Sequence, residues 1–548
     1  MRGLVLAALT LFLSACVSKA QSQDAPGVTL APQGDAVQLL IDGEPFLMLA
    51  GETGNSTASH LPEMEQHWET FQALNMNTVL APIYWELLEP EEGVFDYTLI
   101  DGLVQQARAH EMKLVLLWFG TWKNSMSTYV PAWVKTDPER FPRARNAVGA
   151  AQDILSPHGE NTLAADARAF TALLARLAEI DPVMDTVILV QVENEVGMLP
   201  DARDHSVPAE VAWNAPVPTE LIEALIAGHP GFSVEVLALW QAQGAPVSGS
   251  WAEVFGDSDA AHEVFTAWGL ARFCDRVAAA GKAAHDLPMY VNAALPRPGS
   301  TPGGYPSGGP LDHLFGVWQI SAPSLDFLAP DIYFENYVEK IGAYKIPGNA
   351  VFIPEANRAG RGQAPADALW SFGEVDAIGF SPFSIENIGE ENIEPLSETY
   401  SLIRELAPLI LDHQGRDTMW GLRPNISYEG VVQLNGYQRT FGDFRARITF
   451  KDPWTPQEAQ NGAEHGALII ETGENEFLVA GKGVTLTFEP IAPERGEVGI
   501  LWAREGRYEA GKWIGESWLN GDQTHQGRHI RLPPDRLSVQ RFKLYRYE

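Results

Sequence analysis

The chain reads as an α/β protein: a (β/α)₈ TIM barrel over residues 36–415, followed by an all-β sandwich over 424–548. Three observations predict this. Eight strand-like runs alternate with helical patterns, which argues for a closed barrel more than for an open sheet. The fourth and seventh runs end in carboxylates, where barrel strands present their catalytic groups. From about Pro424 the pattern changes to short alternating runs punctuated by Asn435-Gly436, Gly473-Glu474-Asn475 and Asn520-Gly521, which is sandwich patterning.

Taken in order, Val37–Ile41 and Pro45–Ala50 flank the turn signal Asp42-Gly43, and Phe46–Ala50 is the first barrel strand. Pro62–Asn75 predicts a helix, with Met64, Trp68, Phe71 and Leu74 on one face. Asn77–Ile83 is strand two and Lys113–Trp118 strand three; the insertion Gly120–Ser156 and the helix Thr162–Ile180 follow. Strands four to eight are Val187–Val192, Met289–Asn292, Phe327–Ile332, Ala350–Ile353 and Ala377–Phe380, and Glu398–Leu411 is the closing helix. The Gly/Pro-rich loop Arg297–Pro310 is either a lid or an irregular connection; without Gly-Lys-Ser/Thr it is not a phosphate cradle.

With 38 basic and 71 acidic residues the net charge is −33, spread along the chain, which excludes a nucleic-acid or anionic-membrane surface. A neutral carbohydrate partner fits, and 16 Trp and 14 Tyr supply faces on which sugar rings can stack. Residues 1–16 combine Arg2, the apolar stretch Leu4–Leu13 and Leu13-Ser14-Ala15-Cys16; the stretch is too short to span a bilayer and reads as a secretion signal with a lipobox-like end. The expectation is an exported bacterial lipoprotein lipidated at Cys16, facing periplasm or cell surface, with residues 17–35 as a flexible tether and lipid as the only membrane contact. Cys274 lies in a helical pattern and reads as a buried hydrophobe, leaving no disulfide. No zinc-type spacing and no His-Glu-x-x-His is present, so no metal or organic cofactor is implied.

The chemistry sits in Gln191-Val192-Glu193-Asn194-Glu195-Val196-Gly197 and Pro354-Glu355. Retaining glycoside hydrolysis needs one protonated acid and one attacking carboxylate about 5 Å apart. Strands four and seven lie across a barrel mouth, so Glu195 is read as acid/base and Glu355 as nucleophile, with the charge of Glu355 helping to keep Glu195 protonated. Asn194 suits a sugar hydroxyl beside the reacting carbon, and Tyr333 is placed to hold Glu355. Glu193 should point the other way along the strand and serve structure. Glu89, Glu91 and Glu92 read as a solvated loop. Trp85 and Trp118 line the sugar site or pack the core. Trp122 and Trp370 are candidates for outer subsites, and Lys123 is expected in a salt bridge.

These motifs, with Gly51-Glu52, Asn55-Ser56, Asn77-Thr78-Val79, Tyr84-Trp85-Glu86, Glu89-Pro90 and Gly93, cover residues 40–400 and resemble the clan of retaining (β/α)₈ glycosidases, within it glycoside hydrolase family 35, the β-galactosidases. The resemblance implies Glu195 as acid/base, Glu355 as nucleophile, and Tyr84, Asn194, Tyr333 and Glu52 as sugar contacts. It implies hydrolysis of terminal β-galactosides by double displacement, and a sandwich like an accessory domain of a bacterial branch. The strand-three ending departs from the family: Trp118-Phe119-Gly120-Thr121-Trp122-Lys123-Asn124 lacks its Pro-Tyr and Asn-Ala-Glu, with Asn124 standing in for the amide. Strand eight ends in Ser381-Pro382-Phe383 without the clan's Trp. Another β-glycoside as substrate, or a glycan-binding lipoprotein without catalysis, are the alternatives.

Overall fold

A computed structural model describes residues 27–357, 361–492 and 496–548. Eight parallel strands close a barrel: Met48–Glu52, Thr78–Tyr84, Lys113–Lys123, Val187–Asn194, Met289–Ala294, Phe327–Ile332, the divided seventh strand, and Gly379–Phe380. Closure runs through strand seven. Its first half, Phe352–Ile353, pairs with strand eight, and its second half, Glu355–Ala356, pairs with Asp331 and Ile332 of strand six. Pro354 lies between the halves, and having no N–H it cannot continue a ladder on either side. The strand therefore changes partner immediately before its carboxylate.

The barrel is apolar inside and out. Leu80, Val115, Leu117, Ile188, Tyr290, Phe327 and Phe352 fill its interior, while Val79, Leu116 and Val190 face helices such as Glu160–Ile180 and Asp259–Lys282. Strands buried on both faces explain why their sequences are nearly continuous apolar runs.

Part of the expected tether is folded, and its residues 17–26 lie outside the described residues. Its described part contains the strand Val28–Gln33, antiparallel to Ala36–Ile41, which in turn pairs with Glu44–Phe46. Val28 and Leu39 bury themselves against Met48, Val115 and Phe352, so this small sheet is the barrel floor, and burial fixes a segment whose composition looks mobile. The segment read as a signal sequence, and Cys16, lie outside the described residues. No helix among the described residues is long and apolar enough to cross a membrane.

Other boundaries shift for identifiable reasons. The helix expected over Pro62–Asn75 is two helices, Leu61–Glu65 and Trp68–Ala73. The Gly120–Ser156 insertion begins as an extension of strand three to Lys123 and carries the hairpin Arg143–Arg145 with Ala151–Leu155. The Arg297–Pro310 loop is a packed connection: Ser307 and Met198 exchange backbone hydrogen bonds, Trp318 Nε1 donates to the Gly308 carbonyl, and a Cβ on Gly197 would come within 2.6 Å of Pro306.

The C-terminal domain is a sandwich of a six-stranded and a four-stranded antiparallel sheet. It begins at Met419, five residues before the expected boundary, and the alternation of side chains shows why. Trp420, Leu422, Ala467, Ile469, Phe477 and Val479 fill the sandwich core, while Met419, Leu468, Ile470, Leu478 and Ala480 join the core of the barrel domain. The six-stranded sheet thus buries both faces, the second against the helix Ala364–Glu374. Arg423 and Asp367 meet across this junction at 2.7 Å, both fully buried.

Candidate active site

The carboxyl ends of the barrel strands bring Glu195, Asp331 and Glu355 together, with one oxygen of each within 4.8 Å of the others. Glu195 is 7% exposed and Glu355 3%. Strand four places its acids by breaking its own alternation: Glu193 and Glu195 have φ of 61° and 45°, a region that L-residues enter at a cost of about 1–3 kcal/mol. The twist sends Glu193 outward to the helices and leaves both Asn194 and Glu195 at the mouth.

Each acid is held. Tyr333 donates its phenol to one oxygen of Glu355 and Asn194 Nδ2 lies 3.4 Å from the other. Asn124 donates its amide to Glu195, whose own backbone N–H donates to Asn292 Oδ1 at 2.9 Å. Asn292 Nδ2 in turn donates to Asp331 at 2.6 Å. Lys123 Nζ donates to Asn194 Oδ1 at 2.7 Å and lies 4.9 Å over the Phe119 ring. A single cation thereby fixes the amide between the two acids.

Burial, and then the charge of Glu355, push the Glu195 carboxyl up to about 7, against the lowering pull of Lys123 and Asn124. Burial and Glu355 likewise raise Asp331 and Glu52 well above the usual carboxylate range. Among the described residues, both oxygens of Glu52 and Oδ1 of Asp331 are buried without a hydrogen-bond partner. Such groups are costly to leave unmade and are suited to polar ligand atoms entering the mouth. Glu195, Asp331 and Glu355 come close enough to hold a cation. The Lys123 ammonium already supplies positive charge to that cluster, and phenol and amide donors are already directed at its oxygens.

The other residues singled out from the sequence divide. Tyr84 stands beside Phe119 and Tyr129, its hydroxyl donating to the Asn55 carbonyl at 2.7 Å, so it supports the wall of the mouth. Trp122 is not a subsite: it is fully buried on the outward side of strand three, its ring 4.4 Å from that of Phe273. Trp370 is also buried, on the helix facing the sandwich and edge-on to Tyr337. Trp85 and Trp118 pack the core, 6.4 Å apart. Among the described residues Lys123 has no salt bridge; it is instead a buried cation at the site, bound to Asn194. Glu89 is not solvated: it accepts from Trp85 Nε1, Gly93 N and Arg168 Nη2, whereas Glu92 stays at the surface with Arg140.

Sequence reasoning missed Asn292, Asp331 and Glu386. The first two carried the signal already used for Glu195, a polar residue ending an apolar strand. Glu386, which accepts from Gly54 N and Thr57 Oγ1 and ties strand eight to strand one, carried none.

Comparison with known proteins matches two segments. Residues 30–215 match a family model described as Beta-galactosidase, of glycoside hydrolase family 42, and residues 396–531 match a domain of unknown function, DUF5597. The match supports a β-galactosidase type of the same clan; family 35, suggested by the motifs, is not the family matched. The β-galactosidase of Xanthomonas manihotis is 26% identical over 221 residues, 37% of this chain and 32% of that protein, so the chain matches about a third of that relative's length. Solved structures it resembles include the β-galactosidase of psychrophilic Marinomonas ef1, at TM-score 0.47 and 12% identity over 69% of this chain and 62% of that one. Another is the β-galactosidase of Bacillus circulans sp. alkalophilus, at TM-score 0.45 and 14% identity over 67% and 57%.

Proposed function

We propose that the chain is a retaining β-glycosidase that removes terminal β-galactosyl residues by double displacement. The observation that carries this reading is the approach of Glu195 and Glu355 within 4.8 Å, one carboxyl raised to about 7 and the other held by a phenol and an amide. Separations near 5 Å suit retention, since an inverting pair needs room for a water between them.

In the first step Glu355 attacks the anomeric carbon while the glycosidic C–O bond breaks and Glu195 gives its proton to the departing oxygen. Ester formation removes the charge of Glu355, one of the causes that hold the Glu195 proton in place. With that charge gone Glu195 is the stronger acid and stays ionised after giving up its proton; as carboxylate it takes a proton from water, which attacks the same carbon and frees Glu355. Asn194, fixed by Lys123, is set to hold the neighbouring sugar hydroxyl.

Supporting galactose are the family match and the motifs of strands one, two and four. One observation favours a different β-glycoside: Asn124, the stand-in for the family's galactose-binding amide, is occupied with Glu195. The narrower likeness to family 35 rests on those motifs alone. Release of nitrophenol from a panel of aryl α- and β-glycosides, with the first-formed anomer read by NMR, tests the reading. Fast release from the β-galactoside with a β-configured product supports it, and an α-configured product overturns retention. Export and lipidation at Cys16 follow from the lipobox-like motif; incorporation of labelled palmitate, lost in Cys16→Ser, is the result expected.

A further inference from the structure

A second sugar-sized recess lies on the C-terminal sandwich, in the domain to which no function is attached. A cavity of about 460 Å³ is lined by Trp454, Asp522, Gln523, His525 and Arg531. Trp454 is 56% exposed; Trp518, Tyr545 and Tyr547 of the same domain are exposed as well, but it is the indole of Trp454 that lines this recess. One neighbour, His525, sits 5.5 Å from it, ring to ring.

The lining is built more firmly than a surface loop requires. Arg531 is clamped by a buried carboxylate, Nε to Asp452 Oδ1 at 2.6 Å and Nη2 to Oδ2 at 2.8 Å. Thr455 Oγ1 donates to the same Asp452, which fixes the loop bearing Trp454 to the strand bearing Arg531. Opposite, His525 and Gln526 both adopt left-handed φ, 49° and 60°, which closes the loop of Asp522 and Gln523 around the recess. His525 stacks at 5.4 Å on His529, a buried ring whose Nε2 has no partner among the described residues. Burial, His525 and Arg531 lower His529 to about 4, so that ring is neutral near pH 7.

We propose that this recess is a binding site for a neutral oligosaccharide, a part of the substrate remote from the bond that is cut; this rests on the glycosidase reading for the identity of the sugar. The chemistry is specific in kind. A pyranose presents C–H groups on one face, which pack on an open indole, and hydroxyls at its rim, which need both donors and acceptors. Gln523 offers both, Asp522 accepts, and Arg531 offers the guanidinium edge left over from Asp452. Because Asp452 neutralises Arg531, the recess does not select for an anion, in keeping with a chain of net charge −33 that would repel one.

The test is affinity electrophoresis of the whole chain through gels containing soluble β-1,4-galactan, arabinogalactan or dextran, for wild type, Trp454→Ala, Trp454→Phe, Gln523→Ala and Glu355→Gln. The site predicts retardation of wild type and of Glu355→Gln by at least one of the galactans. Binding should be about tenfold weaker in Trp454→Ala, from loss of one aromatic contact and the area around it, and partly restored in Trp454→Phe. Turnover of a small aryl glycoside should stay unchanged in Trp454→Ala. Equal retardation of wild type and Trp454→Ala overturns the proposal, as does retardation lost in Glu355→Gln and kept in Trp454→Ala, or no retardation by any of the three. Retardation that depends on Trp454 in a chain inactive on every aryl glycoside would separate the two readings, keeping this site while removing the catalytic one.

Discussion

Strand four carries two glutamates two residues apart, and they have opposite fates. Glu193 faces the helix Glu160–Ile180, where it hydrogen bonds carboxyl to carboxyl with Asp166 and accepts from Trp122 N at 2.8 Å. Asp166 is itself held by Trp118 Nε1 and Thr121. Glu195 faces the mouth. Burial raises both acids, so a raised carboxyl alone does not mark catalysis. The difference lies in what surrounds them: Glu193 is enclosed behind the strand by Asp166 and the Trp122 amide, while Glu195 stands at the mouth with an oxygen of Glu355 and of Asp331 within 4.8 Å.

Replacing the acids tests that contrast most strongly. Glu355→Ala should lower kcat/KM by about 10⁴-fold or more, since no other group can form the covalent intermediate. Glu195→Ala should cost about 10²–10⁴-fold on substrates with poor leaving groups and much less on an activated aryl glycoside, where added azide should restore turnover by replacing water. Glu193→Gln, which can still pair with Asp166 and Trp122 N, should leave kcat within about tenfold. A loss in Glu193→Gln as large as that in Glu195→Ala would erase the distinction between the two faces. Glu193→Ala should instead appear in urea unfolding, losing about 2–4 kcal/mol through a cavity and an unpaired Asp166.

The pH profile sharpens the same comparison. Glu195 must start protonated, so kcat/KM should fall as pH rises through about 7. Lys123 lowers Glu195, so Lys123→Met should move that alkaline limb to higher pH. It should also cost about ten- to hundredfold in kcat by freeing Asn194. An unmoved limb would mean that Lys123 serves structure only.

The meeting of Glu195 with Glu355 and the barrel were legible because they obey simple patterns: apolar runs of strand length, and acids where such runs end. What stayed hidden depends on register and on contacts distant in sequence. Lys123 looked like a loop cation because Gly120-Thr121-Trp122 gives no sign that strand three continues through it, nor that Asn124 and Ser125 then turn with φ of 56° to aim the amide at Glu195. The same extension carries Trp122 to the outer face. Val28–Gln33 looked like linker since its partner, the open barrel floor, exists only once eight distant strands have closed. Glu89 looked solvated because its cation, Arg168, lies 79 residues away on the next layer.

The junction between the domains marks a middle scale of effect. Arg423→Met leaves Asp367 buried and uncompensated, a loss of about 3–5 kcal/mol in stability. Aryl glycoside kinetics measured below the unfolding transition should not change, because Arg423 touches none of the mouth residues.

The smallest expected effect falls on the residues whose sequence position was most misleading. Trp122 precedes Lys123 directly, and if it lined a subsite Trp122→Phe would raise KM for an oligosaccharide while sparing a small aryl glycoside. Its indole instead fills the space between strand three and the helix Asp259–Lys282, against Phe273. Trp122→Phe should therefore lower stability by about 1–2 kcal/mol, the usual range for a buried aromatic trimmed to a smaller one, and leave the ratio of the two KM values where it was. The measurement is steady-state kinetics on both substrates beside thermal unfolding. A KM ratio that moves without a change in unfolding would place Trp122 in the mouth and reverse the assignment of inner and outer faces along the extended strand, and with it the position of Lys123.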